Sequence, residues 1–276
     1  MTATENLRGD RVLVAGATGG VGQLTVAKLL EKDYQVCVLV RNAPKAQKMF
    51  DNQVEIVVGD IRDPTTLPAA VEKITHIICC AGTTAFPSSM WEFDTIEKGR
   101  ENPIEWLKIY LNHESTRDRA SNSPDKVDAE GVSNLLAAAP KALKRFIFVS
   151  SIGIRRKDKP PFNILNAFGV LDAKQKGEEA IARSGLPYTI IRPGRLIDGP
   201  YTSYDLNTLL KATTGGKLGV VVLTGDTLLG EASRIDVASA CVESIGNSVT
   251  EGKVFEIINK GPRPEEIDWT ALFSIL

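Results

Sequence analysis

Histidine and cysteine, the residues that build metal sites and disulfide frameworks, are scarce in this chain. Two histidines and four cysteines occur in 276 residues, and Cys37, Cys79, Cys80 and Cys241 show no metal-ligand spacing. Cys37, Cys79 and Cys80 lie inside apolar runs, where a free thiol behaves as a small hydrophobe. No metal site and no disulfide scaffold is expected, and a reducing compartment is the natural home. Charge of one sign is lacking too. The net charge is −1, which excludes a global field that recruits nucleic acid or anionic lipid. Long hydrophobic runs are absent: no stretch approaches the roughly 20 residues that cross a bilayer. A transmembrane segment is therefore not expected, while peripheral association with a membrane stays open. Met1–Asp10 is polar, with neither a signal-peptide core nor an Arg/Ser-rich transit segment. The expected location is a reducing cytoplasm or the plastid stroma.

What the chain does carry is a glycine turn in an informative place. Val12-Leu13-Val14-Ala15 runs into Gly16-Ala17-Thr18-Gly19-Gly20-Val21-Gly22, and an amphipathic segment, Val21 to Leu30, follows. Strand, Gly-x-x-Gly-x-x-Gly turn and helix, in that order, suit a nucleotide pyrophosphate. The glycines let the backbone approach the phosphates, and the helix N-terminus offers unpaired N–H groups and the positive end of its dipole.

The rest of the chain repeats the same alternation. Strand candidates are Arg11–Ala15, Gln35–Val40, Val54–Val58, His76–Cys80, Arg145–Ser150 and Tyr188–Ile191. Helix candidates are Gly20–Glu31, Ala43–Phe50, Pro64–Glu72, Asp125–Ala139 and Leu171–Ser184, with Ser123-Pro124 as a start signal and Ser184-Gly185 as a stop. Near-continuous apolar strands between helices read as α/β, a doubly wound parallel sheet of the Rossmann type covered on both faces. Val220–Leu223, Val254–Ile258 and a helix-like Ile235–Ile245 suggest a small C-terminal lobe, from about residue 192 to 276, on the same sheet. With 43% hydrophobic and 24% charged residues, the whole of 1–276 reads as one globular domain. One segment breaks the rhythm. Phe86–Asn122 is charged and unpatterned apart from a short helix candidate at Pro103–Leu111, and reads as an insertion: a lid, a partner surface or a mobile loop.

Three strand ends carry further chemistry. Arg41 follows the second strand, where an acidic residue would bind the adenosine ribose 2′-hydroxyl; a guanidinium fork there suits a 2′-phosphate instead, with Asn42 and Lys45 close by. This favours NADP(H) over NAD(H). Gly59-Asp60-Ile61 closes the third strand and places a carboxylate within reach of an adenine amino group. Cys80-Ala81-Gly82 closes the fourth, where small residues let a cofactor pass close to the backbone.

Together with these residues, Phe148-Val149-Ser150-Ser151, Lys174 and Tyr188-Thr189-Ile190-Ile191-Arg192-Pro193-Gly194 make the chain resemble the atypical short-chain dehydrogenase/reductase family. The branch it is similar to is the NmrA-like, Tic62-like NAD(P)-binding proteins of cyanobacteria and plastids. The resemblance runs from Arg11 to about Asn259. It implies a cofactor site made of Gly16, Thr18, Gly19, Gly20, Val21, Gly22, Arg41, Asp60, Ile61, Cys80, Ala81, Gly82, Lys174, Arg192 and Pro193. In catalytic relatives a Ser is followed by Tyr-x-x-x-Lys on the next helix, the Lys holding the nicotinamide ribose and the Tyr moving a proton. Ser151, or its neighbour Ser150, matches the serine and Lys174 the lysine. The tyrosine position is Val170, which cannot transfer a proton. A phenol from Tyr201 or Tyr204, or Lys174 itself if burial lowers its pKa, would have to serve.

Two functions follow. One is an NADPH-dependent reductase or isomerase of a small carbonyl, enone or isoprenoid-like substrate, with Ser151, Lys174 and Tyr204 as its catalytic group. The other is a non-catalytic NADP-binding redox sensor or an assembly or scaffold factor for a photosynthetic complex, meeting a protein partner through residues 86–122 with Trp91 and Trp106 as anchors. A nucleotide-sugar epimerase is a third reading, weakened by the same missing tyrosine. The Arg41 argument predicts that the purified protein binds NADPH more tightly than NADH in a calorimetric titration, and that Arg41→Ala erases the difference. Equal affinities in the unaltered protein would remove the argument.

Overall fold

The computed structural model describes residues 9–87, 91–93, 111–198, 204–213 and 218–276. Among these, ten strands form: β1 (Arg11–Ala15), β2 (Gln35–Val40), β3 (Glu55–Val58), β4 (His76–Cys79), β5 (Arg145–Val149), β6 (Tyr188–Pro193), β7 (Arg195–Ile197), β8 (Val220–Leu223), β9 (Glu231–Ser233) and β10 (Lys253–Asn259). Eight of them make one sheet in the order β3-β2-β1-β4-β5-β6-β10-β8, parallel throughout except for β8. β7 and β9 pair separately as a two-stranded parallel ladder.

The sheet is buried on both faces, and β1 shows how. Val12 and Val14 enter one core, with the helices α1 (Gly20–Glu31) and, further along the chain, Arg234–Glu243. Leu13 and Ala15 enter the other, with Val132, Leu135 and Ile181 from the helical segments Val132–Ala138 and Val170–Arg183. Alternate residues thus serve opposite layers, which is why these strands read as unbroken apolar runs. The remaining helices, in chain order, are α2 (Ala43–Phe50), α3 (His113–Arg119), α4 (Val132–Ala138), α5 (Phe162–Leu165), α6 (Val170–Arg183), α7 (Leu206–Leu210), α8 (Arg234–Glu243) and α9 (Trp269–Phe273). From β1 the chain builds outward to β2 and β3, then crosses back to β4, β5 and β6. The switch point lies between β1 and β4, the place where open α/β sheets bind ligands.

Four sequence expectations are corrected. Pro64–Glu72 is not a helix; only a single 3₁₀ turn, Pro64–Thr66, forms. Thr66 Oγ1 donates to the carbonyls of Asp60 and Asp63, competing with helical bonding, and Pro68 removes a donor. Asp125–Ala139 is not one regular helix. Residues Asp125–Gly131 take a wider π-type turn before α4 begins. Within the insertion, α3 and an antiparallel bridge between Phe93 and Ala120 give order where none was read. Trp91 is buried, its indole N–H donating to Thr84 Oγ1 at 3.1 Å and its ring against Phe93 and Phe168, so it is not an exposed anchor. Trp106, with the rest of residues 103–110, and Tyr201 lie outside the described residues.

His76 begins β4 in a buried setting, its ring nitrogen 2.9 Å from Thr75 Oγ1, and desolvation pushes its pKa down to about 4. The unfolded chain, with a histidine pKa of about 6.5, binds the extra proton between these values. Stability present above pH 6.5 is therefore lost as pH falls towards 4, by roughly 3 kcal/mol. Urea midpoints across this window should show that loss, and His76→Gln should flatten it.

Candidate dinucleotide site

The glycine turn joins β1 to α1 through contacts that leave no room for a side chain. Gly16 has φ +79°, and a Cβ on it would lie 2.6 Å from the backbone nitrogen of Ala81, beyond the end of β4. A Cβ on Gly22 would lie 2.1 Å from the Gly16 carbonyl oxygen. The first turn of α1 is therefore drawn tightly onto the switch point. Gly19 caps α1 without a side-chain hydrogen bond, and its first turn holds no acidic residue. With no acidic residue in that first turn, the helix N–H groups and the positive dipole end suit an anion such as a pyrophosphate.

Past the ends of β2 and β3 the site is charged. Arg41 donates to Glu92 Oε1 at 2.7 Å, and Arg62 reaches Glu92 Oε2 at 3.2 Å. Arg62 also grips the Asp60 carboxylate at 2.5–3.0 Å and donates to the Ser121 carbonyl at 2.8 Å. Partial burial would raise the pKa of Asp60, but the hydrogen bonds and charge of Arg62 outweigh it and hold the carboxyl below its ordinary value. Glu92 is likewise held low against its own desolvation, by Arg41 and then Arg62. Ile61 is buried, and its carbonyl accepts from Asn134 Nδ2 at 3.0 Å. Glu92 and Arg62 were not singled out from sequence. No local pattern marks them, because the insertion meets the sheet only in the folded chain.

At the end of β5 the two serines separate. Ser150 is buried, with its hydroxyl donating to Glu178 Oε1 at 2.6 Å; Ser151 is half-buried and donates only to the neighbouring Ile152 carbonyl at 3.0 Å. Arg192 faces the same carboxylate from β6, Nε on Oε1 at 2.9 Å and Nη2 on Oε2 at 2.5 Å, so its guanidinium is committed to Glu178. Pro193 offers a carbonyl that already accepts from Ile152 N at 3.1 Å. Lys174 projects from α6 to the same strand ends. Its Nζ donates to the Val149 carbonyl at 3.2 Å, lies over the Phe148 ring at 5.1 Å and stands 2.9 Å from Asp128 Oδ1. Asp128 is wholly buried, and its Oδ2 accepts from Thr83 N at 3.0 Å and Thr83 Oγ1 at 2.7 Å. The Lys174–Asp128 contact is an ion pair rather than an aligned hydrogen bond, since Oδ1 has no hydrogen-bond donor of its own.

The wider turn at Asp125–Gly131 carries Asp128 into this position, against Gly82, where a Cβ would lie 2.8 Å from Oδ1 and 3.3 Å from Lys174 Nζ. Sequence reading missed Asp128. Its only signal was a carboxylate set between the apolar Val127 and Ala129 in a segment that also carries Asp125 and Glu130. Val170 is buried with Ile152, Ile154, Phe162 and Leu171, so hydrocarbon fills the place that the resemblance gives to a phenol. Tyr204 donates from its backbone to Gln23 Oε1 at 3.1 Å, which ties its main chain to the first turn of α1. Cys80 packs beside α1, Sγ 3.8 Å from Thr25 Oγ1.

A doubly wound sheet with an uncapped helix at its switch point and charged groups beyond β2 and β3 defines a dinucleotide-binding α/β protein. A family model described as NAD(P)H-binding matches residues 16–248, and the chain belongs to that family, among the atypical short-chain dehydrogenases/reductases of the Tic62/NmrA type. Sanguinarine reductase from Eschscholzia californica is 31% identical over 95% of this chain and 94% of its own length. Protein TIC 62, chloroplastic, from Pisum sativum is 29% identical over 95% of this chain but only 45% of its own. A solved structure of an NAD-dependent epimerase/dehydratase candidate from Bacillus halodurans superposes with a TM-score of 0.64 at 26% identity, covering 92% of this chain and 96% of that one. No helix among the described residues is long and apolar enough to cross a membrane.

The ion pair beneath Gly82 makes a stability prediction. Asp128→Ala leaves the Lys174 ammonium, and Lys174→Met the Asp128 carboxylate, buried without its counter-charge, so each should destabilise the protein by about 3 kcal/mol. Replacing both together should cost less than the sum of the two. Chemical denaturation of the three variants checks this.

Proposed function

We propose that the protein is an NADPH-dependent reductase of a small organic substrate, with the glycine turn, Arg41 and Asp60–Ile61 holding the adenosine diphosphate half and Cys80–Gly82, Lys174 and Pro193 bordering the nicotinamide half. The single observation that carries the reading is Lys174, an ammonium fixed between Asp128, the Val149 carbonyl and the Phe148 ring at the mouth bounded by Gly82. When bound, the reduced nicotinamide supplies hydride. Lys174 holds the ribose hydroxyls, Asp128 fixes the direction of its ammonium, and Ser151 offers the accessible hydroxyl to a substrate oxygen. Ile152, Ile154, Phe162 and Val170 form a buried apolar cluster in the segment that follows Ser151, in keeping with a weakly polar substrate. Whole-length similarity to a named reductase supports the same reading.

The buried Val170 favours a second reading, a non-catalytic NADP-binding sensor or assembly factor that meets its partner through residues 86–122. We place either protein in the cyanobacterial cytoplasm or the plastid stroma, in keeping with its chloroplastic relative. The readings part on turnover. With NADPH and a panel of planar carbonyl, enone and quinone compounds, sanguinarine included, the reductase should show substrate-dependent loss of absorbance at the reduced nicotinamide band. Lys174→Ala should lower that rate by about a hundredfold or more. Tight NADPH binding with no oxidation across the panel would favour the sensor or assembly reading.

A further inference from the structure

The adenosine end of the crevice holds an anion that the chain supplies itself. Glu92 lies far from Arg41 in sequence, yet its carboxylate sits on the Arg41 guanidinium at 2.7 Å and on Arg62 at 3.2 Å. Its backbone is fixed independently of that contact. The Glu92 N–H donates to Asn122 Oδ1 at 2.7 Å, its carbonyl accepts from Ser121 N at 2.8 Å, and the next residue, Phe93, bridges Ala120. Turning the carboxylate away from Arg41 leaves this backbone pairing intact; the side-chain contacts it touches are those with Arg41, Arg62 and, at 3.3 Å, Ser121 Oγ. The Arg41–Glu92 contact is open to solvent, with side chains 55% and 38% exposed, and exposed ion pairs are weak and easily exchanged.

We propose that Glu92 is a specificity-determining residue of the dinucleotide site: its carboxylate occupies the Arg41 guanidinium that a cofactor 2′-phosphate would take, so the phosphate binds by exchange with it. The inference rests on the reading of Arg41 as the 2′-phosphate residue. A 2′-phosphate brings close to two negative charges, which cannot settle beside an ionised carboxylate on one guanidinium without repulsion. It also offers Arg41 a stronger partner than Glu92 does. A cofactor with a plain 2′-hydroxyl brings no such charge and leaves the Arg41–Glu92 pair in place. Glu92 thus opposes NADP(H) selectively. It holds the preference over NAD(H) below what Arg41 alone would give, and it keeps Arg41 ordered when no phosphate is there.

The test is binding, measured by calorimetry at low ionic strength on the full chain. The ligands are 2′,5′-ADP and 5′-AMP, which differ only in the 2′-phosphate, followed by NADPH and NADH. Glu92→Gln should tighten 2′,5′-ADP and NADPH by about threefold to fivefold and leave 5′-AMP and NADH unchanged. The gain should vanish when Arg41→Ala is added, because Glu92 acts through Arg41. Glu92→Asp, too short to span the same distance, should shift affinity the same way and serves if the Gln variant fails to fold. If Arg41→Ala abolishes the preference for 2′,5′-ADP while neither Glu92 variant strengthens it, or if 5′-AMP tightens equally, the role of Glu92 is overturned and that of Arg41 stands. If the unaltered protein shows no preference, or Arg41→Ala leaves it intact, the underlying reading of Arg41 falls and the Glu92 proposal with it.

Discussion

The close approach of two backbones at the switch point is the constraint on which the rest depends. Gly22 lies against the Gly16 carbonyl and Gly16 against the start of Ala81, each at distances a Cβ would violate. These contacts pull the first turn of α1 down between β1 and β4 and aim its free N–H groups at the crevice. Everything with chemistry follows from that placement. The ends of β2 and β3 lie on one side, carrying Arg41 and Asp60, and the ends of β4 and β5 on the other, carrying Gly82 and Ser151. A larger residue at either glycine would push the helix away and separate the pyrophosphate position from both.

Much of this was legible in the sequence, because the parallel sheet is written locally. The inner strands are short apolar runs buried on both faces, and β8 was read to the residue while β10 differs by one residue at each end. The glycine turn was legible for the same reason: a backbone that must come close needs glycine at fixed steps. Pro64–Glu72 misled because its apolar spacing suited a helix, while Thr66 and the two prolines decided against it through bonds the spacing does not show. Glu92 could not be read at all. Its partners Arg41 and Arg62 come from other strand ends, and only the fold brings the three together.

Asp128 is the instructive omission. A buried carboxylate is costly unless paired, and here the pairing is with Lys174 and Thr83. The π-type turn that delivers it departs from a regular helix, and Gly131 and Gly177 let that turn sit close to Ile61 and to α6. Such a departure is an expense that packing alone does not explain, and it converges on the one lysine the family pattern retains. The phenol position is hydrocarbon at Val170, while the lysine one turn further on is held by Asp128, the Val149 carbonyl and the Phe148 ring.

Charge is therefore used in opposite ways at the two ends of one crevice. Towards β5 the Lys174–Asp128 pair is buried, with side chains 10% and 0% exposed, and low local polarity makes it hard to break. Around Arg41 the pair with Glu92 is half in water and screened by salt. A buried pair fixes geometry, which a reacting centre needs. An exposed pair can be exchanged, which a site choosing between a hydroxyl and a phosphate needs. On the proposed assignment, reversing the two would give a rigid adenosine end and a loose centre. The insertion contributes at the exchangeable end, through a carboxylate whose backbone is anchored by Asn122 and Ser121 while its side chain meets Arg41 and Arg62 in partly exposed contacts.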